Sequence, residues 1–314
     1  MKRKMLNVPK GGYDGMKGFT IVEFLVAGLL SVIVLIAVVS SYFTSRKLND
    51  AANERLAIQQ DLRNAATLIV RDARMAGSFG CFNMSEHIEQ DVVSDVTQKN
   101  SPFSLKRNST RNSANKLIPI AESSNIVYQG FAQVRPALIF QYGIDDVNAS
   151  AETTVVSSCG AISKPGKQIP TLEDAKKELK IQNFGKEQNG NIARQRHVVN
   201  AYAVGRIAGE EGLFRFQLDD KGKWGNPQLL AKKIKRMKVL YIYVSGCPED
   251  EDAGKEEQFK YTDKFDSSVT PAGVEVLLDS GLNAKIAASS DNSIYAYRIN
   301  ATIRGGNVCA NRTL

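Results

Sequence analysis

Between Glu23 and Arg46 the chain carries no charge for 22 residues, Phe24 to Ser45, and thirteen of these are Phe, Leu, Ile or Val. As a helix the run rises about 33 Å, enough for a hydrocarbon core of roughly 30 Å. At about −0.3 to −0.6 kcal/mol per strongly apolar residue, membrane insertion is favoured by about 4–8 kcal/mol. Beyond the run the pattern becomes amphipathic. Leu48, Ala52, Leu56, Leu62, Ala66, Ile69, Ala73 and Ala76 form one apolar stripe, while Asn53, Arg55, Gln60, Arg63, Asn64, Arg71 and Arg74 fill the other face. No proline falls between Gly11 and Ser101, and Gly77 and Gly80 supply a stop. The pattern predicts one helix from about Thr20 to Ala76. Its small residues Ala52, Ala66, Ala73 and Ala76 offer a face for a sheet to pack on.

After Ser78 the period changes. Strands are predicted at 137–142, 153–157, 198–207, 213–218, 239–244 and 294–299. Asp219-Asp220-Lys221-Gly222-Lys223 reads as a hairpin turn into Trp224. Thr171-Leu172-Glu173-Asp174 resembles a capping box opening a short helix to about Lys180, and 271–280 reads as a second. Two polar stretches, 83–115 and 248–268, read as surface insertions. Strands joined by hairpins beside one long helix give an α+β class.

Composition narrows the functional classes. The chain has 314 residues and a net charge of +8. Half of that excess sits in the first 18 residues, where Lys2, Arg3, Lys4, Lys10 and Lys17 face only Asp14. A nucleic-acid-binding role for the whole chain is therefore not expected, and the basic leader reads as a targeting signal. Five basic residues before the span and Arg46 and Lys47 after it leave the leader cytoplasmic and the rest outside. Ser40-Ser41-Tyr42-Phe43 gives no secretory cleavage site.

The break in character falls instead before the span, at Lys17-Gly18-Phe19-Thr20-Ile21-Val22-Glu23. Glycine, phenylalanine, three residues and then glutamate, heading an apolar helix, resembles the leader of type IV pilins and pseudopilins. The resemblance implies that a prepilin peptidase cuts between Gly18 and Phe19 and that Phe19 is then N-methylated. A carboxylate at the head of a membrane helix is costly without a partner. The freed Phe19 amine of one subunit could neutralise Glu23 of its neighbour and fix axial register. Arg71-Asp72-Ala73-Arg74-Met75-Ala76-Gly77-Ser78-Phe79-Gly80-Cys81 resembles the helix end in the PilW family of minor pilins. Where major pilins often carry a helix-breaking proline, this chain has Ser40.

The resemblance implies a type IV pilin-like fold: leader 1–18, helix 19–77 spanning the membrane at about 24–45, and an antiparallel β domain 78–314. It implies a protein of the inner membrane with the domain in the periplasm, later found at the pilus tip. The expected function is a tip or initiation complex that primes major-pilin assembly against retraction. Expected partners are prepilin peptidase, other minor pilins, the major pilin, the inner-membrane assembly machinery and a tip adhesin. The alternatives are a binding module for adhesin, host surface or DNA, and a type II secretion pseudopilin.

The remaining chemistry is structural. Cys81, Cys159, Cys247 and Cys309 lie beyond the span, where disulfides persist. Three pairings are open; the one expected is Cys81–Cys159 with Cys247–Cys309. Spacings of this length exclude a compact zinc motif. The acidic run Glu249-Asp250-Glu251-Asp252 lacks EF-hand spacing and reads as a solvated loop. Lys232-Lys233-Ile234-Lys235-Arg236-Met237-Lys238 reads as a solvated side with Leu230, Ile234 and Met237 inward; an acidic partner or DNA is the alternative. His87 and His197 belong to no catalytic motif, and no cofactor, metal or enzymatic activity is expected.

Overall fold

The computed structural model describes residues 18–98, 101–106, 115–181, 191–245, 258–279 and 297–306. Helix α1 (Ile21–Met75) realises the long predicted helix. Among the described residues it is the one helix long and apolar enough to cross a membrane. The chain divides into two compact units, Met1–Ala57 and Ile58–Leu314. In the first, the α1 side chains are exposed, Leu29, Ile36 and Phe43 among them. The stripe positions Leu48, Ala52 and Leu56 are also exposed.

Among the described residues the second unit is built from the end of α1, fifteen strands, two single-turn 3-10 helices and a short α-helix. The strands are β1 (Ser78–Phe79), β2 (Phe82–Asn83), β3 (Val92–Asp95), β4 (Ile120–Ser123), β5 (Ala132–Gln133), β6 (Ala137–Ile144), β7 (Thr154–Ser157) and β8 (Ile162–Lys164). After α2 (Leu172–Glu178) come β9 (Ala193–Ile207), β10 (Glu210–Leu218), β11 (Trp224–Lys232) and β12 (Arg236–Ser245). The last are β13 (Gln258–Thr262), β14 (Gly273–Asp279) and β15 (Tyr297–Thr302).

A nine-stranded sheet runs β11-β10-β9-β7-β8-β3, with β6 and β5 also on β9 and β4 on β6. Arg196 pairs with both Ile144 and Thr154, so β6 and β7 lie on opposite edges of β9. Among the described residues only β3 and β8 run parallel; every other strand pair is antiparallel. A second sheet has the order β13-β12-β14-β15, and β1 and β2 form a small hairpin.

Burial explains the pattern. Leu62, Ala65, Ile69 and Ala73 of α1, with Ala76 just past its end, share one core cluster with Phe140, Tyr202 and Leu213 of the large sheet and Tyr241, Val276 and Ile299 of the small one. The opposite face of the large sheet buries Ile139, Val199, Ala201, Phe214 and Phe216 in a second cluster. A sheet covered on both faces needs near-continuous apolar strands, which is how 137–142 and 198–204 read. In β10 the alternation resolves: Phe214, Phe216 and Leu218 face one side, Leu213 and Arg215 the other. The predicted turn follows, with Asp219 Oδ1 accepting from the amides of Lys221 and Lys223 and Gly222 at φ 71°.

Local chemistry fixes the ends. Gly77 stops α1 at φ 79°, and a Cβ there would sit 3.1 Å from Pro119 Cβ. Gly80, at φ 67°, approaches Ala193 so closely that a Cβ would come within 2.7 Å of its Cβ. Thr171 caps α2, its hydroxyl accepting from the Asp174 amide.

Three expectations are corrected. The 271–280 stretch is not a helix but strand β14, central in the small sheet and buried at every residue from Gly273 to Asp279. Val274, Val276 and Leu278 face the core, while Glu275 faces the other way and pairs with Arg298 at 2.7 Å. The 83–115 stretch is not a surface insertion alone: Met84, Val92, Phe103 and Leu105 are buried, and β3 extends the large sheet. Within 248–268, β13 forms a sheet edge, and the acidic run lies outside the described residues.

Cys81 and Cys159 form a disulfide that closes 78 residues between the end of α1 and the end of β7. Cys247 and Cys309 lie outside the described residues. Loop closure of this length contributes at most about 4–5 kcal/mol, and removal of such bonds typically costs about 2–5 kcal/mol. Replacing both Cys81 and Cys159 with Ser is expected to lower the thermal midpoint of the detergent-solubilised chain by a loss in that range, read by circular dichroism.

Candidate processing and assembly site

Residues 18–20 precede α1 without regular structure. Gly18 has open space where a Cβ would stand, and Phe19 is 84% exposed. Glu23 lies in the first turn of α1 and closes a capping box with Thr20. Glu23 Oε2 accepts from the Thr20 amide and hydroxyl, each at 2.9 Å, and the Glu23 amide donates to Thr20 Oγ1 at 3.3 Å. Removal of residues 1–18 leaves that box intact, because it uses nothing before Thr20. Glu23 Oε1 accepts no hydrogen bond among the described residues, so a second donor has an open oxygen. The leader before Gly18 lies outside the described residues.

Sequence patterning missed the main polar feature of the second unit. Asp72 is fully buried on α1. Its Oδ1 accepts from Tyr142 Oη at 2.9 Å and from Arg71 Nη2 at 3.0 Å. Its Oδ2 accepts from Tyr202 Oη at 2.6 Å, Asn200 Nδ2 at 2.9 Å and Arg215 Nε at 3.3 Å. One carboxylate therefore ties the helix to β6, β9 and β10. Burial, followed by the Asp72 charge, pushes the Tyr142 hydroxyl up to about 12 and raises that of Tyr202 further. Asp72 stands three, seven and ten residues after Ile69, Ala65 and Leu62, on the apolar stripe. An acid on a buried face was the signal.

A second buried ion was also missed. Lys164 at the end of β8 is 1% exposed and donates to the Phe103 carbonyl at 3.0 Å, its Nζ 3.4 Å from the Phe103 ring centroid. It lines a pocket of about 320 Å³ with Glu152, Ser101 and Asp220. Burial pulls its amine down to about 7, opposed by Asp95.

The histidines are structural. His87 stacks on Phe82 and its Nδ1 lies 2.9 Å from Asp91 Oδ2. His197 is buried between Phe79 and Phe103, with Nε2 3.1 Å from Gln141 Oε1. The basic run 232–238 is the crossing from β11 in one sheet to β12 in the other. Ile234 and Met237 are buried and Leu230 half-buried, while Lys232, Lys233, Lys235, Arg236 and Lys238 are exposed. Lys233 sits at φ 58° in that crossing. Among the described residues no group of three His, Cys, Asp or Glu side chains could hold a metal ion.

The fold and these sites define an α+β protein with an N-terminal apolar helix of membrane-spanning length and a disulfide-braced β domain. No protein-family model matches the chain, and no curated protein matches it by sequence.

Two outcomes are expected for the buried ions. Asp72→Ala leaves buried donors and the Arg215 charge unpaired and is expected to cost about 3–5 kcal/mol. Asp72→Asn, which keeps the shape, is expected to cost less; thermal unfolding of the full chain in detergent reads both. For Lys164, the unfolded chain holds a proton that the folded chain has lost between about pH 7 and the ordinary value of 10.5. Stability therefore rises with pH across that window, by at most about 1.4 kcal/mol per pH unit, with the full penalty present below it. The difference between wild type and Lys164→Met should shift towards wild type from pH 7 to 10.

Proposed function

We propose that the chain is a minor pilin of the PilW family, nearest to PilJ-type members, that helps form the initiation complex at the tip of a type IV pilus. The observation that carries this reading is the head of α1. Gly18-Phe19 stands open at the start of an apolar span, and Glu23 follows four residues after Phe19 with one carboxylate oxygen unused among the described residues. Prepilin peptidase cuts between Gly18 and Phe19 at the inner face of the inner membrane. The Phe19 ammonium of one subunit then meets Glu23 of another. In an apolar filament core such a pair is strong, and misregister leaves both charges bare.

The β domain supports the tip placement. Roughly 235 residues with two sheets is a bulky load to repeat along a thin filament, and a terminal position accommodates it. There the subunit presents its α1 to the major pilin below it and to other minor pilins beside it. Priming of extrusion against retraction follows, because a preformed end removes the slow nucleation step.

The test is carried out in the cells that make the fibre. Glu23→Ala is expected to leave cleavage intact and to reduce incorporation into sheared pili at least tenfold by immunoblot. Mass spectrometry of the pilus-associated form is expected to begin at a methylated Phe19. Deletion is expected to abolish pili, with their return when the retraction motor is also removed. Normal pili in the deletion strain with loss of adhesion or DNA uptake would instead assign the protein a binding role. A pilus-associated chain that still carries residues 1–18 would overturn the reading.

A further inference from the structure

A pocket of about 320 Å³ lies where the end of β8 meets the 219–223 turn and the residues after β3. Its size is at the small end of ligand pockets, roughly 300–1,000 Å³. Lys164 lines it and is 1% exposed, so a cation sits beside the cavity almost out of contact with bulk water. Among the described residues one of its three ammonium hydrogens is used, on the Phe103 carbonyl at 3.0 Å. The Phe103 ring also lines the pocket, its centroid 3.4 Å from Nζ. Lys164 makes no ion pair among the described residues, and a buried cation without a touching anion is costly.

The nearest acid is committed elsewhere. Asp95 stands opposite Lys164 on the adjoining strand β3. Its Oδ2 accepts from Ser104 Oγ and the Leu105 amide, each at 2.9 Å, and its Oδ1 from the amide and hydroxyl of Thr97. It favours the ammonium from a distance without pairing with it. His197 of β9 packs on the Phe103 ring, 4.9 Å between centroids, with Nε2 near Gln141. The other ionic groups lie toward solvent. Asp220 pairs with Arg196 at 3.2 Å, and Asp146 meets the same Arg196 at 3.7 Å. Glu152 and Lys221 are exposed and of opposite sign. Charges in water are screened, and the buried one is not.

We infer that this pocket binds a small monocarboxylate, its oxygens on Lys164 Nζ and the Ser101 hydroxyl and its apolar body against Phe103 and Val96. The backbone of Phe103 positions both donors. Its carbonyl holds Lys164, and its amide donates to Ser101 Oγ at 3.2 Å, which leaves the Ser101 hydroxyl hydrogen free to donate among the described residues. One ammonium balances one negative charge; a dianion would leave its second charge facing Asp95 and Glu152. The carboxylate belongs either to a free acid or to the C-terminus of a peptide, which share this chemistry.

The test is calorimetric titration of the full-length chain, in a non-ionic detergent, with sodium benzoate and separately with N-acetylphenylalanine. Saturable binding is expected. Tighter binding of benzoate assigns the site to free acids, and tighter binding of N-acetylphenylalanine assigns it to peptide ends. Burial holds the free amine near 7, and a bound carboxylate raises it. Binding is therefore expected to take up about one proton at about pH 8, read in buffers of different ionisation enthalpy, and to weaken about tenfold per pH unit above about pH 7. Lys164→Met is expected to weaken binding at least about tenfold at pH 7 and to remove the slope. No saturable binding of either acid, equal binding of benzamide or inorganic phosphate, an affinity independent of pH, or an unaltered affinity in Lys164→Met overturns the proposal. The proton count and the slope are read on the unaltered chain, so they decide the matter even where Lys164→Met unfolds. None of these readouts involves Gly18, Phe19 or Glu23, so the pocket and the filament reading fail separately.

Discussion

A single carboxylate with no contact to water holds the second unit in register. Asp72 leaves solvent at a cost of several kcal/mol, and only a full set of donors offsets it. Those donors come from α1 itself and from three strands: Tyr142 of β6, Asn200 and Tyr202 of β9, and Arg215 of β10. A one-residue rotation of the helix turns Asp72 through about 100° and strands every donor that the three strands supply. Apolar packing of Ala65, Ile69 and Ala73 tolerates small sliding; the carboxylate does not. Packing thus supplies the driving force, and the ion supplies the single permitted alignment.

The large sheet depends on the same arrangement. With α1 on one face and Phe103, Phe131 and Trp224 against the other, β9 has no solvated side along most of its length. Its 15 residues serve β7 and β10 on one edge and β6 and β5 on the other. Polar groups on this strand must then find partners inside. Asn200 and Tyr202 find Asp72, and His197 finds Gln141.

The sequence made the helix, its glycine stop, α2 and the 219–223 hairpin legible, since each has a local cause: charge-free length, φ above zero, a side-chain cap, a turn. The β14 misreading shows the limit. Gly273-Val274-Glu275-Val276-Leu277-Leu278 has apolar spacing that suits helix or strand, and the choice is made by β12 and β15 on either side. Likewise Val92 and Leu105 sit in a serine- and asparagine-rich stretch whose average polarity hides them. At the candidate site, Gly18, Phe19 and Glu23 stood out because their order and their place at the head of an apolar span are visible in the sequence itself. Asp72 and Lys164 did not, because their meaning lies in partners 70 to 143 residues or 61 residues away.

The Cys81–Cys159 bond bears on how the domain carries load. Tension along α1 leaves the helix at Gly77 and meets the cross-link four residues later. From there the covalent path jumps to the end of β7, so the enclosed 78 residues cannot be drawn out while the sulfurs stay joined. Fully extended they would release roughly 260 Å of slack. The bond converts a compliant tether into a short one, and a pull at the N-terminal end arrives at β9 through β7 instead of being spent in unravelling β2 to β6.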